Sequence, residues 1–152
     1  MTVAGGVVTI LCAEDDPDDR ILLREALEAI GLPYQLHFVE DGERLMSYLQ
    51  RNGDFEDPRS SPLPDLLLLD LNMPRMDGRE ALARIKADPR LRELPVVVMS
   101  TADSVEDVRM AYGLGASSFV VKPVTFERLV AVMQDIRHYW TGVVTLPRSD
   151  RW

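Results

Sequence analysis

Asp65–Gly78, DLLLLDLNMPRMDG, is the stretch that decides the fold. Asp65–Asp70 is a nearly continuous apolar run bounded by acids, the pattern of a strand buried on both faces. Such a strand belongs inside a parallel sheet covered by helices on each side. LNMPRMDG then reads as a loop, and Arg79–Ala87 as a helix.

The flanking sequence supplies the partners. Upstream, Val7–Ala13 (VVTILCA) is a short apolar run rich in β-branched residues, hence a buried strand. EDDPDD follows, then RILLREALEAIGL, in which Ile21, Leu22, Ala26, Leu27 and Ile30 recur at helical spacing. Asp16 is placed to cap that helix, Pro17 to open it and Gly31 to end it. Tyr34–Val39 alternates as a second strand, and Gly42–Leu49 reads as a helix with Leu45, Met46 and Leu49 on one side. Residues 52–64, NGDFEDPRSSPLP, are a polar loop without a period. Downstream come a strand at Val96–Ser100, a helix at Glu106–Leu114, a strand at Ser118–Val121 and a helix from Thr125 to about Trp140. Five successive β-α units predict an α/β fold, a doubly wound sheet with helices on both faces. Residues 7–140 read as one domain and residues 141–152 as a C-terminal tail, with TGVVTL able to pack locally. With no output domain in the chain, any signal is expected to leave through the surface of this domain.

Composition narrows the function. The hydrophobic fraction of 46% supports a proper core, and the net charge of −8 argues against a dedicated nucleic-acid binder. The one cysteine, Cys12, excludes an internal disulfide and reads as buried packing, with redox sensing as the alternative. Met1–Leu11 lacks the basic start of a signal peptide, and no apolar run approaches membrane-spanning length. A soluble cytoplasmic protein is expected. Lys86 and Lys122 are the only lysines, among many arginines.

In a doubly wound sheet, ligands bind outside the carboxyl ends of the strands. Strand one ends in Glu14-Asp15-Asp16, strand three in Asp70 followed by Asn72, strand four in Ser100-Thr101 and strand five in Lys122-Pro123. Strand two ends in Glu40-Asp41, off to one side. Glu14, Asp15 and Asp70 in one crevice repel one another, and a hard divalent cation such as Mg²⁺ removes that repulsion. With Lys122 and the Ser100 hydroxyl they make a pocket for a phosphoryl group, and a carboxylate can itself be the nucleophile that accepts it. Singly, each residue has a plainer explanation: a turn or cap for Asp70, a helix start for Glu14-Asp15, a cap for Ser100, a solvated chain for Lys122. Their placement at adjacent strand ends favours the pocket.

Over roughly residues 8–139 the sequence resembles the receiver domain of two-component response regulators. The acidic pair Glu14-Asp15, Asp70 within LLLLDLNMPRMDG, the loop residues Pro74 and Gly78, Ser100, and the pair Lys122-Pro123 carry the resemblance. It implies a flavodoxin-like five-stranded parallel sheet in the order 2-1-3-4-5. It further implies Mg²⁺-dependent transfer of a phosphoryl group from a phosphohistidine of a sensor histidine kinase to Asp70. Asp15 and Asp70 would be direct metal ligands, the Asn72 carbonyl would complete the protein's share, and Glu14 would act through metal-bound water. Lys122 would pair with Asp70 and later with the phosphoryl oxygens, across a cis Lys122–Pro123 bond. Ser100 would swing inward to the phosphoryl group, followed by Phe119, which fills space but offers no hydroxyl. Slow loss of its own phosphate is implied, without turnover of an external substrate. Glu14 and Ser100 stand where Asp and Thr are commoner, and both substitutions keep the chemistry.

EDDPDD, the long loop before DLLLLDLNMPRMDGRE, and VVVMSTA narrow the resemblance to stand-alone receivers that partner phytochrome-type light-sensing histidine kinases. Ile21, Leu22, Pro123 and Val124 are candidates for the kinase contact. Tyr112, Phe126, Tyr139 and Trp140 could form a homodimer surface or cover the domain's own core. Three rivals remain. A phosphorylation-independent binding module on the same fold would need a broken acidic pocket. An aspartyl-phosphate hydrolase would carry D-x-D-x-T where this chain has Asp70-Leu71-Asn72. A flavodoxin-like cofactor carrier would need a phosphate-cradling loop where strand one is followed by acids.

Overall fold

β3 (Leu66–Leu69) lies at the centre of a five-stranded parallel sheet ordered β2-β1-β3-β4-β5 in the computed structural model, which describes residues 7–31 and 34–147. Its neighbours are β1 (Val8–Ala13) and β4 (Val96–Ser100), with β2 (Tyr34–Val39) and β5 (Ser118–Val121) at the two edges. The helices are α1 (Pro17–Ile30), α2 (Gly42–Leu49), α3 (Gly78–Ala87), α4 (Val105–Gly113) and α5 (Phe126–Arg137). This is the doubly wound, flavodoxin-like arrangement expected from the sequence.

The leucine run shows why. Leu67 and Leu69 enter a core with Leu11, Val96 and Val98 from the sheet and residues of α2, α3 and α4. Leu66 and Leu68 enter a second core with Ile10, Cys12, Val97 and Met99 from the sheet and residues of α1 and α5. Successive side chains of a strand point to opposite faces, so a strand buried on both needs unbroken apolar sequence. Cys12 is 5% exposed, and burial, the main cause, drives its thiol pKa far upward, so it is packing rather than a reactive thiol.

The helix starts follow local chemistry. Asp16 caps α1 by accepting from the Asp18 N–H at 2.9 Å, and Gly31 closes it at φ 75°. Asp41 caps α2 and also accepts from Arg75 Nε at 2.8 Å. Arg75 sits at φ 67°, in a tight turn closed by the Met76 N–H donating to the Pro74 carbonyl at 2.8 Å. The Asp41 carboxylate, 1% exposed, is therefore both a cap and a tether for this loop. Lys86, one of the two lysines, donates to the Arg92 and Leu94 carbonyls at 2.9 and 2.7 Å and braces the α3–β4 connection.

The last helix is shorter than its apolar spacing suggests. α5 ends at Arg137 and widens into a π turn at His138–Val143. The Thr141 hydroxyl donates to the Arg137 carbonyl at 2.6 Å, and the Val144 N–H reaches back five residues to Tyr139. Of the segment 141–152, residues 141–147 are described, and Leu146 among them is buried at 4% exposure. The 52–64 loop holds a short 3-10 turn at Gly53–Phe55, where Phe55 packs on Tyr48.

Gly78 opens α3 directly beneath the loop that follows β3. A Cβ there would overlap the Asp70 carbonyl and come within 2.7 Å of Leu71 Cα. Both contacts are backbone, so Gly78→Ala is expected to lose about 2–3 kcal/mol of stability. Urea denaturation would show it as a lower midpoint at unchanged slope.

Candidate functional site

Three of the four strand ladders run one bond past their ends, into the site. The Glu14 N–H donates to the Val39 carbonyl at 2.9 Å, the Asp70 N–H to Ala13 at 3.1 Å and the Lys122 N–H to Ser100 at 3.0 Å. Three chemistry-bearing residues thus have backbones held by the sheet rather than by loops, which keeps their side chains in place. They meet where β1 and β3 part, the switch point of the winding.

The Lys122 ammonium lies at the centre. It contacts Glu14 Oε1 at 2.5 Å, Asp70 Oδ2 at 2.9 Å and Asp19 Oδ2 at 3.0 Å. The other Asp70 oxygen accepts from the Asn72 N–H at 3.1 Å. The side chains of Lys122, Glu14 and Asp70 are 17%, 6% and 7% exposed, dry enough for these charges to matter. Burial alone would lower the lysine pKa, but its bonds to Glu14, Asp70 and Asp19 outweigh that and hold it well above the ordinary range. Burial and the Asp70 charge push Glu14 up to about 7, against the opposing pull of Lys122 and of the Asp16 N–H.

The sign of the Glu14 shift gives a pH dependence. A carboxyl with a raised folded-state pKa stabilises the fold below its unfolded value, and that contribution is lost as pH rises through the folded value. In metal-free buffer, Glu14→Gln is therefore expected to gain stability relative to the parent between about pH 5 and 8, by about 1 kcal/mol or more. Urea midpoints measured across that range would read it, and parallel curves would refute it.

Carboxylate oxygens of Glu14, Asp15 and Asp70 all lie within 4.8 Å of one another, with Asp15 exposed and the other two buried. Hard oxygen donors with one open side fit a divalent cation. Behind them a small cleft of about 80 Å³ runs between α1 and the β5–α5 connection, lined at its polar end by Glu14, Asp19, Asp70 and Lys122.

Of the residues singled out from sequence, Glu14, Asp15, Asp70 and Lys122 come together here, with Asn72 adjacent. Ser100 lies at the neighbouring strand end, fully buried, and is not among the residues lining the cleft; its Oγ accepts from the Ala102 N–H at 3.2 Å. Phe119 is half-buried against the core on the α4 side, and its N–H donates to Tyr112 Oη at 3.2 Å. The Lys122–Pro123 bond is trans, as are all described peptide bonds, which corrects the expectation of a cis bond. Backbone pairing to Ser100 and three carboxylates hold the lysine in place without it.

Asp19 was missed in the sequence. It lies in the first turn of α1 beside Asp18, where acids read as an ordinary helix start. Its spacing from the Asp16 cap was the available signal, since three residues on is nearly one helical turn.

At the surface, Ile21, Leu22 and Val124 are 56%, 40% and 100% exposed, and Pro123 is partly so. Tyr112, Phe126 and Tyr139 are also exposed, whereas Trp140 packs against the α1–α5 core. No helix among the described residues is long and apolar enough to cross a membrane.

Comparison with known proteins gives the same picture. The chain is 39% identical over 140 residues to the response regulator Rcp1 of Synechocystis sp., covering 92% of this chain and 93% of Rcp1. The Mn²⁺-bound form of Rcp1 superposes with a TM-score of 0.84 at 38% identity, covering 93% of this chain and 99% of that one. The phosphorylated cyanobacterial phytochrome response regulator RcpA superposes at 0.86 with 37% identity and the same coverage. The response regulator receiver domain model matches residues 10–134, a span that holds every residue of the carboxylate–lysine site, and the chain belongs to that family.

Proposed function

We propose that Asp70 accepts a phosphoryl group from the phosphohistidine of a sensor histidine kinase of the phytochrome type. One observation carries this: the Asp70 carboxylate is fixed at the end of the central strand with the Lys122 ammonium at 2.9 Å from one oxygen and the Asn72 N–H at 3.1 Å from the other. An Asp70 oxygen supplies the electron pair for a new bond to phosphorus, and the phosphorus–nitrogen bond breaks with its pair leaving on the imidazole, whose other ring nitrogen carries a proton so that the ring departs neutral. Lys122 offsets the charge on the phosphoryl oxygens.

Mg²⁺ is the cation proposed for the acidic cluster, where it would neutralise the carboxylates and the incoming phosphoryl charge. Asp15, Asp70 and the Asn72 carbonyl would hold it directly, and Glu14 through a metal-bound water. The Mn²⁺-bound form of the relative Rcp1 and the donor set here support a divalent ion. Ser100 would leave its Ala102 contact to bond a phosphoryl oxygen, and Phe119 would follow into the vacated space, a shift between two existing states. The phytochrome link rests on relatives of that description. Kinase contact is assigned to Ile21, Leu22, Pro123 and Val124, and signalling to protein–protein contacts of the cytoplasmic domain, without direct nucleic-acid binding. Tyr112, Phe126 and Tyr139 offer a homodimer surface.

Intact mass after incubation with Mg²⁺ and acetyl phosphate tests the chemistry. One phosphoryl adduct, absent with EDTA, is the expected result. A folded protein with a competent donor and no adduct would exclude Asp70 as acceptor and favour the phosphorylation-independent binding module.

A further inference from the structure

We propose that Asp19 is a positioning residue for Lys122, keeping its ammonium beside Asp70 when the other carboxylates are claimed by a cation and a phosphoryl group; this rests on the phosphoacceptor function above. An ammonium has three donors, and here Glu14, Asp70 and Asp19 take one each. Two of these acceptors, Glu14 and Asp70, belong to the acidic cluster with Asp15; Asp19 does not. A divalent cation there draws on the same lone pairs as Lys122 and repels the ammonium. Lys122 would then lose its hold on the crevice unless a carboxylate outside the cluster retained it.

Asp19 is built for that part. Asp16 and Pro17 fix the start of α1, and Asp19 follows within the same turn, reaching the cleft shared with Lys122. α1 is seated on α5 through Leu23 and Leu27 against the core that holds Leu129 and Met133. The Asp19–Lys122 pair, at 3.0 Å, thus ties α1 to the end of β5 across 103 residues of sequence. With Asp19 at 39% and Lys122 at 17% side-chain exposure, the bond lies at the mouth of the site, where it can persist as the interior contacts change.

Asp19→Ala, Asp19→Asn and Asp19→Glu would be compared with the parent in two measurements. The first follows the Lys122 ammonium by ¹H–¹⁵N NMR with and without Mg²⁺; the chain has one other lysine, so Lys86→Arg assigns the signal. The second follows adduct formation over a range of acetyl phosphate concentrations. The expected results are a protected Lys122 signal that survives Mg²⁺ in the parent and is lost in Asp19→Ala. The maximal adduct rate should fall about tenfold at nearly unchanged half-saturation, as misplacement of a catalytic group predicts. Asp19→Glu should restore both more fully than Asp19→Asn. A parental rate with a protected signal in Asp19→Ala would overturn the proposal, as would a loss of rate that Asp19→Glu leaves unrepaired. If the parent itself forms no adduct, the phosphoacceptor function falls, and the NMR comparison alone decides: a signal lost in Asp19→Ala supports the anchor, and one retained overturns it.

Discussion

Asp70→Asn is expected to take up no phosphoryl group from acetyl phosphate under conditions where the parent chain forms a single adduct. The amide keeps the shape of the carboxylate but has no negative oxygen to attack phosphorus. Other carboxylates stand close by, yet Glu14 is buried against Lys122 and Asp15 is exposed at the rim. Like Asp70, Glu14 has one oxygen on Lys122 and the other on a backbone N–H, that of Asp16, so what sets Asp70 apart is its place at the end of the central strand. The fold should survive, because Lys122 keeps Glu14 and Asp19 and a Glu14–Asp70 repulsion disappears. A stability change within about 1 kcal/mol is expected. An adduct of parental yield on Asp70→Asn would place the acceptor elsewhere.

Lys122→Met carries the second large effect. Methionine retains the apolar stem and removes the ammonium that bonds three carboxylates. Glu14 and Asp70 are then buried acids with a backbone N–H each but no countercharge, a situation that costs about 3 kcal/mol or more. In metal-free buffer near pH 8 the variant should unfold at distinctly lower urea concentration than the parent. Acid should narrow the gap by protonating Glu14, whose pKa is already raised to about 7. Mg²⁺ should narrow it as well, because the cluster now lacks its competing charge, so the variant should bind Mg²⁺ more tightly than the parent by about tenfold. Adduct formation should nonetheless fall by about 100-fold, since nothing replaces the ammonium on the phosphoryl oxygens. A variant as stable as the parent without metal would show that solvent, not Lys122, neutralises the crevice.

Both variants act on residues that could be picked out from the sequence, and the reason is regular. In a parallel sheet the functional side chains follow directly after the strands, so DLLLLD, VVTILCAED, VVVMS and SFVVK each announce a strand and its terminal residue together. β2, α2, β4 and β5 have the bounds read from their apolar patterns. Where local geometry departs from the regular period, the pattern blurs: past Arg137, α5 widens into the π turn His138–Val143, where the Thr141 hydroxyl bonds the Arg137 carbonyl.

By itself, the sequence determined the α/β winding, the burial of the central strand on both faces, and the set Glu14, Asp15, Asp70 and Lys122. Each of these depends on short-range order along the chain: side-chain alternation, caps and strand ends. Only the tertiary structure decided which partners those residues take. Lys122 bonds Glu14 and Asp19 as well as Asp70, its bond to Pro123 is trans, Trp140 turns into the core, and Tyr112 reaches the backbone of Phe119. These contacts depend on how α1, α4 and α5 seat on the sheet, and that seating is set by the summed packing of two cores. Asp19 shows the distinction most clearly, since only the docking of α1 brings an ordinary first-turn acid to a lysine 103 residues away.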